Sequence, residues 1–381
     1  MKQTKVNVLL GAGFSYDAGI PLVQDINPYF DRDFLDKLCF FSDSQWRWKE
    51  FQNDANKHNG RLSVEVEIVE FVFNHLVHSM KREKGSFSSY EIFMTYLIDK
   101  GKDWFSSQVV QAKEAERSLR ISRQRRMPNS KYWSKYDDID LPLVLDIINY
   151  LIADLLRTDK FKPIDEIESY DKFLAYISVY NQVNFFSLNH DLLLEEVLRK
   201  RAIRYSDGFT RENSEIIGNQ KQPLAVFKSD YSAPYKIMKL HGGKDQFAYQ
   251  IAEKEDHMNY LTGERIYFRI DDYYDLHRSA RIDLSTGDII QNFNHSVVPQ
   301  FLTGSLKQTF LENDYMYSDL LTRYRNELID DSDLLIIGYS YQDKHIDEVL
   351  QKVDPKRIVN VNPGDLYPYG DARNLKYMTD L

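Results

Sequence analysis

Near its start the chain reads Val6-Asn7-Val8-Leu9-Leu10-Gly11-Ala12-Gly13-Phe14-Ser15, an apolar run followed by a glycine-rich turn. The run predicts a buried β-strand, and the glycines allow a sharp turn and a close approach of the backbone to a phosphate. The helix expected next would offer unpaired N–H groups to the same phosphate. A bare steric turn is the alternative, since such turns need glycine without any ligand. The added hydroxyl of Ser15 favours phosphate binding.

Four later apolar runs are similar to the first in length and in their content of Val, Ile, Leu and Phe. They are Val183–Leu188, Ile237–Leu240, Leu334–Ile337 and Ile358–Val361. Runs of this kind suit strands buried on both faces of a parallel sheet, and amphipathic stretches such as Leu192–Arg201 and Tyr315–Ile329 lie between some of them. The alternation predicts an α/β fold, a Rossmann-like doubly wound parallel sheet.

A large insertion interrupts this pattern. About 170 residues separate the first two predicted strands, far more than a single crossover helix needs. The intervening chain has few glycines or prolines and contains amphipathic stretches such as Val64–Met80 and Leu141–Leu156. We therefore expect a large inserted helical domain at residues 34–180, and a sheet domain made of residues 1–33 and 181–381.

Charge and cysteine content exclude several classes of protein. The formal net charge of −9 does not attract nucleic acid or an anionic membrane, so direct nucleic-acid binding is not expected. A basic stripe on one predicted helix is interpreted as a solvated face or a subunit contact. Its residues are Lys113, Arg117, Arg120, Arg123, Arg125 and Arg126. The single cysteine, Cys39, cannot build a thiolate zinc cage.

The chain has neither a signal-peptide pattern nor an apolar run approaching about 18 residues. A helix that crosses a membrane needs such a run, and a secreted protein normally carries such a signal. We therefore expect a cytoplasmic protein with no membrane partner.

Polar residues follow the second and third predicted strands. Asn189 and Asp191 come after Val183–Leu188, immediately before an apolar helix. Asp191 has an alternative role as a helix cap, whereas Asn189 stands where ligands bind in open α/β sheets. His241 ends the third strand and is followed by two glycines, and its unperturbed pKa suits proton transfer near neutrality. His241 is therefore the candidate general base.

The last two predicted strands end in a similar way. Gly338 and Ser340 follow Leu334–Ile337, and Asn362 follows Ile358–Val361. Small or amide-bearing residues at the carboxyl ends of strands are available to nucleotide phosphates and ribose hydroxyls. Because parallel strands end at one edge of the sheet, we expect these residues to line a single crevice.

Taken in order, the motifs resemble the sirtuin family over about residues 5–30 and 180–365. The shared features are a Gly-Ala-Gly-x-Ser and Gly-Ile-Pro opening, an Asn-x-Asp after a strand, a His-Gly, a Gly-x-Ser, and a strand that ends in Asn. The resemblance implies an NAD site in which the first turn binds the phosphates. The residues that it assigns to them are Gly11, Ala12, Gly13 and Ser15.

The resemblance also implies roles at the nicotinamide end of the site. Asn189 would orient the nicotinamide ribose and the attacking water, Asp191 would support that arrangement, and His241 would match the family's catalytic histidine. Three residues would contact the phosphate and adenosine side: Gly338, Ser340 and Asn362.

Two departures from the deacylating sirtuins bear on the reaction. Leu22, Val23 and Gln24 stand where those enzymes continue with Asp-Phe-Arg, and their four zinc-binding cysteines are missing. We therefore expect neither zinc nor protein deacylation. The remaining pattern is similar to the bacterial sirtuin-like NADases of anti-phage defence. In chain length and architecture it resembles the stand-alone subunit that pairs with a HerA-type ATPase, which implies that ATPase as a partner. We also expect a homo-oligomer.

The hypothesis is an NAD+ glycohydrolase that takes NAD as its substrate and releases nicotinamide and ADP-ribose. The alternative is a non-catalytic NAD or ADP-ribose sensor that regulates a partner ATPase or nuclease. A dehydrogenase fits less well, because the glycine turn lacks the Gly-x-Gly-x-x-Gly spacing. His75 and His78, three residues apart in an amphipathic stretch, are interpreted as ordinary surface or core histidines rather than metal ligands.

Overall fold

The computed structural model describes residues 3–40, 45–51, 63–157, 162–250, 265–270, 279–292, 298–304, 306–364 and 366–381. The chain divides into two units. The first consists of residues 1–22, 156–302 and 307–381. The second consists of residues 23–155 and 303–306.

Strands and helices are numbered here in chain order. The strands are β1 (Gln3–Leu10), β2 (Leu38–Phe40), β3 (Trp46–Trp48), β4 (Tyr180–Ser187), β5 (Tyr205–Ser206), β6 (Gly208–Thr210), β7 (Ile216–Ile217), β8 (Ala225–Asp230), β9 (Tyr235–Lys239), β10 (Gly242–Gly243), β11 (Gln246–Gln250), β12 (Arg265–Arg269), β13 (Ala280–Ile282), β14 (Ile289–Asn292), β15 (Gln300–Phe301), β16 (Asp333–Ile337), β17 (Ile358–Val361) and β18 (Arg373–Leu375). The helices are α1 (Gly13–Tyr16), α2 (Val23–Phe30), α3 (Ser63–Lys84), α4 (Tyr90–Ser122), α5 (Ser130–Ser134), α6 (Leu141–Leu155), α7 (Glu168–Ile177), α8 (Leu193–Lys200), α9 (Leu306–Asn313), α10 (Tyr315–Ile329) and α11 (Lys344–Leu350).

The first unit is built on a seven-stranded sheet in which every pairing is parallel. Its strand order is β18-β17-β16-β1-β4-β9-β5. The chain runs outward from β1 through β4 and β9, then returns to the other side of β1 for β16, β17 and β18. The predicted Rossmann-like doubly wound parallel sheet is therefore confirmed, and its order reverses between β1 and β16. All five predicted strands are present, whereas the short edge strands β5 and β18 were not predicted.

The predicted strands are apolar because both of their faces are covered. Val8 and Leu9 point to opposite faces of the sheet and are both fully buried, as are Phe185 and Phe186 on the neighbouring strand. Leu9 and Phe186 belong to one core cluster with Tyr324 of α10. Burial on two faces removes the alternation of polar and apolar residues that a half-exposed strand would show.

Smaller antiparallel sheets complete the first unit. Strands β11, β12, β8 and β6 form one sheet in that order, and β14, β13 and β7 form another. Val226, Phe247 and Phe268 are buried together in a separate apolar cluster on the first of these sheets. Strands β10 and β15 form a short pair, in which Gly242 lies opposite Phe301.

The second unit carries helices α2 to α6 and confirms the predicted helical region. Glu116 is buried on α4, where it accepts hydrogen bonds from the hydroxyls of Tyr132, at 2.7 Å, and Tyr136, at 2.5 Å. It also pairs with Arg120, a member of the predicted basic stripe. Among the described residues, no helix combines the length and the apolar character that a membrane crossing requires.

The borders of the two units differ from the predicted domain borders at 33/34 and 180/181. Helix α2 lies in the second unit, where the ring of Phe30 packs at 5.6 Å from that of Trp48. Helix α7 lies in the first unit, where the ring of Phe173 packs at 5.2 Å from Phe14 and 6.2 Å from Phe185. Aromatic packing thus assigns each of these helices to its unit.

The turns that follow β1 and β16 are in direct backbone contact. The N–H of Gly13 donates to the carbonyl of Gly338 at 3.0 Å, and the N–H of Gly11 donates to the carbonyl of Ile337 at 2.9 Å. A Cβ on Gly13 would lie 2.6 Å from the Cα of Gly338, and one on Gly338 would lie 2.3 Å from the Cα of Gly13. Gly338 also has a left-handed φ of +62°. Only glycine allows both the contact and this conformation.

This contact makes a prediction about stability. A residue other than glycine in the left-handed conformation costs about 1–2 kcal/mol. Gly338→Ala should lower the free energy of unfolding by more than this, because its Cβ would also collide with backbone atoms. Gly364→Ala is the matched control, since it follows β17 and a Cβ there meets nothing within 4 Å. Urea unfolding of both variants measures the difference. Equal stability of the two would contradict this account of the contact.

Candidate functional site

Asn189 and His241 stand at the same level of two neighbouring strands. Ser187 of β4 pairs with Lys239 of β9 in parallel register, and the N–H of Leu240 donates to the carbonyl of Ser187 at 2.9 Å. Asn189 and His241 each follow two residues after that pair, and both are buried. The structure therefore brings the two principal candidates together at the carboxyl edge of the sheet.

A chain of hydrogen bonds holds the Asn189 side chain. Its Nδ2 donates to the carbonyl of Gly11 at 3.0 Å and to Oγ of Ser15 at 3.1 Å. Oγ of Ser15 in turn donates to Oδ2 of Asp191 at 2.9 Å. These bonds commit the amide nitrogen of Asn189 and fix the orientation of its side chain. Ser15 was predicted to bind phosphate; in the structure its buried hydroxyl contacts Asn189 and Asp191.

Asp191 makes contacts that fit both of the roles considered for it. Its Oδ1 accepts the N–H of Leu193, the first residue of α8, at 2.9 Å, as a helix cap would. Its Oδ2 accepts the hydroxyl of Ser15 and so fixes the partner of Asn189. One carboxylate therefore links the start of α8 to the Asn189 network, and the cap and the supporting role do not exclude each other.

A buried ion pair lies directly beneath these residues and was not predicted. Nζ of Lys239 lies 3.2 Å from Oε1 of Glu195, and both side chains are almost fully buried. The same ammonium donates to the carbonyls of Asn189 and Asp191. Burial lowers the pKa of Lys239, but the surrounding carboxylates, Glu195 first, outweigh it and raise the pKa above its usual value. The sequence did contain a signal for this pair, since Lys239 is a charged residue in an apolar strand and Glu195 is one in an apolar helix.

His241 is buried, and its surroundings favour the neutral form of the imidazole. Its pKa lies well below the usual value, first because burial disfavours the imidazolium and then because Lys307, His190 and His345 add positive charge nearby. The ring centroid of His345 lies 5.8 Å away. The backbone is fixed by the N–H of Leu302, which donates to the carbonyl of His241 at 2.9 Å. A neutral imidazole can accept a proton, as a general base must.

Asp343 faces His241 from the turn after β16. Its Oδ2 lies 3.2 Å from Nε2 of His241 and 3.2 Å from Nζ of Lys307, while its Oδ1 lies 3.2 Å from Nδ1 of His345. The atoms of His241, Asp343 and His345 lie within 4.8 Å of one another, a spacing that a metal ion could bridge. Lys307 already supplies a cation to this carboxylate, so we interpret the group as a charge network. Sequence reasoning missed Asp343, Lys307 and His345.

The remaining candidates lie in the turns around the same edge. Asn362 uses its side chain locally: Nδ2 donates to the carbonyl of Tyr339 at 2.8 Å, and Oδ1 accepts the N–H of Gly364 at 3.2 Å. Ala12 and Ser340 are exposed and available to a ligand. The contacts of Asn362 with Tyr339 join the turn after β17 to the turn after β16, which itself contacts the first glycine turn.

Comparison with known proteins identifies part of the first unit. Residues 183–358 match the model of the SIR2-like domain. This match begins within β4, so the glycine turn after β1 lies outside it. No curated protein matches the chain.

Several solved structures of Sir2 enzymes are similar to the chain. A structure described as "Structural Basis for the Mechanism and Regulation of Sir2 Enzymes" shares 12% identity, covers 100% of this chain and 89% of its own, and has a TM-score of 0.35. "Structure of Sir2Tm bound to a propionylated peptide" shares 12% identity over 100% and 90% of the two chains, with a TM-score of 0.34. A Sir2 homologue in complex with NAD shares 10% identity over 97% and 82%, with a TM-score of 0.33.

The buried ion pair makes a prediction about stability. Lys239→Met should lower the free energy of unfolding by about 3–5 kcal/mol, because it leaves Glu195 charged and unpaired in the interior. The double variant Lys239→Met/Glu195→Leu should regain most of that loss, since it removes both charges. Thermal and urea unfolding of the single and double variants measure it. A single variant as stable as the wild type would show that the pair does not hold this part of the site.

Proposed function

We propose that the protein is an NAD+ glycohydrolase, which cleaves the nicotinamide–ribose bond of NAD to give nicotinamide and ADP-ribose. The observation that carries the proposal is the position of Asn189 and His241 at one level of neighbouring strands, beside the interlocked turns of Gly11 and Gly338. The SIR2-like match over residues 183–358 supports NAD as the ligand. Ligands of open α/β sheets bind at the carboxyl edge where the strand order reverses. The turns of Gly11 and Gly338 lie at that point, and Asn189, after the next strand, contacts the first of them.

The proposed reaction is substitution at C1′ of the nicotinamide ribose. The C–N bond breaks and its electron pair leaves with nicotinamide, while the oxygen of a water molecule forms the new bond to C1′. Asn189 is fixed through Gly11 and Ser15, so its Oδ1 can orient the ribose hydroxyls or the water without reorganising. His241, held neutral by its surroundings, accepts the proton of the water and releases it to solvent.

Two features of the sequence support hydrolysis over protein deacylation. Leu22, Val23 and Gln24 replace the Asp-Phe-Arg of the deacylating sirtuins, and the one cysteine excludes a cage of four thiolates. A peptide cleft would therefore lack the zinc module that forms its second wall in those enzymes. Water is the acceptor that remains for the ribose.

The setting of the reaction is proposed from the sequence resemblance. Depletion of NAD in anti-phage defence, in the cytoplasm, fits the zinc-free pattern of the chain. A HerA-type ATPase and further copies of the chain are the proposed partners. Co-purification of the chain with such an ATPase, followed by measurement of NAD turnover with and without it, would test this part separately from the chemistry.

The central experiment measures nicotinamide and ADP-ribose after incubation of the purified protein with NAD. Asn189→Ala and His241→Ala should each lower nicotinamide release by about 10²-fold or more, because one loses the orienting amide and the other the base. His78→Ala is the matched control, since His78 is exposed on α3 and its Nδ1 lies 2.6 Å from the carbonyl oxygen of Asn74. Melting curves check that each variant is folded.

Two results would contradict the proposal. Turnover like that of the wild type in both variants would remove Asn189 and His241 from the mechanism. NAD or ADP-ribose binding by the wild-type protein, with no nicotinamide released alone or with the ATPase partner, would favour the sensor.

A further inference from the structure

The side chain of Asp343 stands at the start of a helix but does not cap it. Asp343 is the residue before α11, where an Asp side chain commonly caps the first backbone N–H groups of a helix. Here it makes no such hydrogen bond. The backbone N–H of Asp343 donates to the hydroxyl of Tyr339 at 3.1 Å, and this bond holds the backbone of the residue in place.

The carboxylate faces three nitrogen groups from different parts of the first unit. Oδ2 lies 3.2 Å from both His241 Nε2 and Lys307 Nζ, and Oδ1 lies 3.2 Å from His345 Nδ1. A structural ion pair with Lys307 alone would not require the two imidazoles. The arrangement therefore points to a carboxylate that acts on a histidine.

Nε2 of His241 needs such a partner. This atom is buried and makes no hydrogen bond among the described residues, although Oδ2 of Asp343 lies only 3.2 Å away. An unpaired ring nitrogen in the interior is unfavourable, and a small rotation of the ring would form the bond. Asp343 is the acceptor within reach.

We propose that Asp343 is the positioning residue of His241, accepting the Nε2–H so that Nδ1 is the atom that takes the proton. This inference rests on the proposed function. The carboxylate fixes the tautomer and stabilises the imidazolium that forms when water attacks C1′. The proton passes from water to Nδ1 and then to solvent, while the Nε2–H stays on the ring.

Lys307 and Asp343 have opposite effects on the pKa of His241. The groups that face His241 are Asp343 and His345 from the start of α11, Lys307 from α9, and His190 from the turn after β4. Burial first, and then Lys307, His190 and His345, lower its pKa. Asp343 lies 3.2 Å away, and a carboxylate at that distance favours the imidazolium. Below its pKa, His241 is protonated and cannot accept a proton, so activity is lost on the acid side.

The test compares variants of the two groups in NAD turnover. Asp343→Asn should lower kcat by about 10²-fold or more with KM for NAD nearly unchanged, because the amide supports neither the tautomer nor the imidazolium. Formate should restore part of the activity of Asp343→Ala. Glu348→Gln, on the exposed side of the same helix, is the matched control and should retain wild-type kcat.

The pH profiles of these variants should move in opposite directions. Lys307→Gln should shift the acid limb of kcat to higher pH, and Asp343→Asn should shift it to lower pH. Damage to the fold would not produce opposite shifts from two contacting residues. Shifts in one direction, or an Asp343→Asn variant with wild-type kcat and no shift, would overturn the inference.

Nitrogen NMR of ring-labelled histidine separates this inference from the proposed function, since it needs no turnover. His241 should be protonated at Nε2 in the wild-type protein and should lose that preference in Asp343→Asn. If this holds while no nicotinamide is released, the pairing stands and the proposed function fails. If nicotinamide is released but the tautomer is unchanged by Asp343→Asn, the pairing is wrong and the function stands.

Discussion

The contact between the glycine turns after β1 and β16 is the constraint on which the rest of the structure depends. Two backbones approach so closely that a single Cβ on Gly13 or Gly338 would overlap main-chain atoms. The contact lies where the strand order reverses, between the two halves of the sheet. It fixes the level at which the strands end, and with it the edge where polar side chains gather. Glycine is needed at these positions for packing, whether or not a phosphate binds beside them.

The candidate site is connected to that backbone contact by hydrogen bonds. The carbonyl of Gly11 accepts the amide of Asn189, and Ser15 connects that amide to Asp191. Lys239 supports the same segment from below through backbone carbonyls. A rigid network of this kind keeps a side chain oriented before a ligand arrives, which lowers the reorganisation that a reaction demands. The hydrogen bonds that stabilise this edge of the sheet are therefore the ones on which the proposed chemistry would depend.

The His241 end of the site is organised by charge. Burial and neighbouring cations favour the neutral imidazole of His241. The carboxylate of Asp343 lies within 3.2 Å of both His241 and the positively charged Lys307. A neutral imidazole has a lone pair that can accept a proton, but burial disfavours the imidazolium that results, and an acidic partner stabilises it. Asp343 forgoes its helix-capping bond to face His241, Lys307 and His345.

The sheet could be predicted from the amino-acid sequence alone, because strands buried on both faces must be short apolar runs and a strand followed by glycine has few alternatives. It also located Asn189 and His241, since each directly follows such a run. Three features became visible in the folded chain alone: the unit borders, the Lys239–Glu195 pair and the Asp343–Lys307–His345 network. These depend on side chains distant in sequence meeting in space, and no local periodicity records such contacts. The same holds for Ser15, whose hydroxyl turns to Asp191 because the end of β4 is its neighbour.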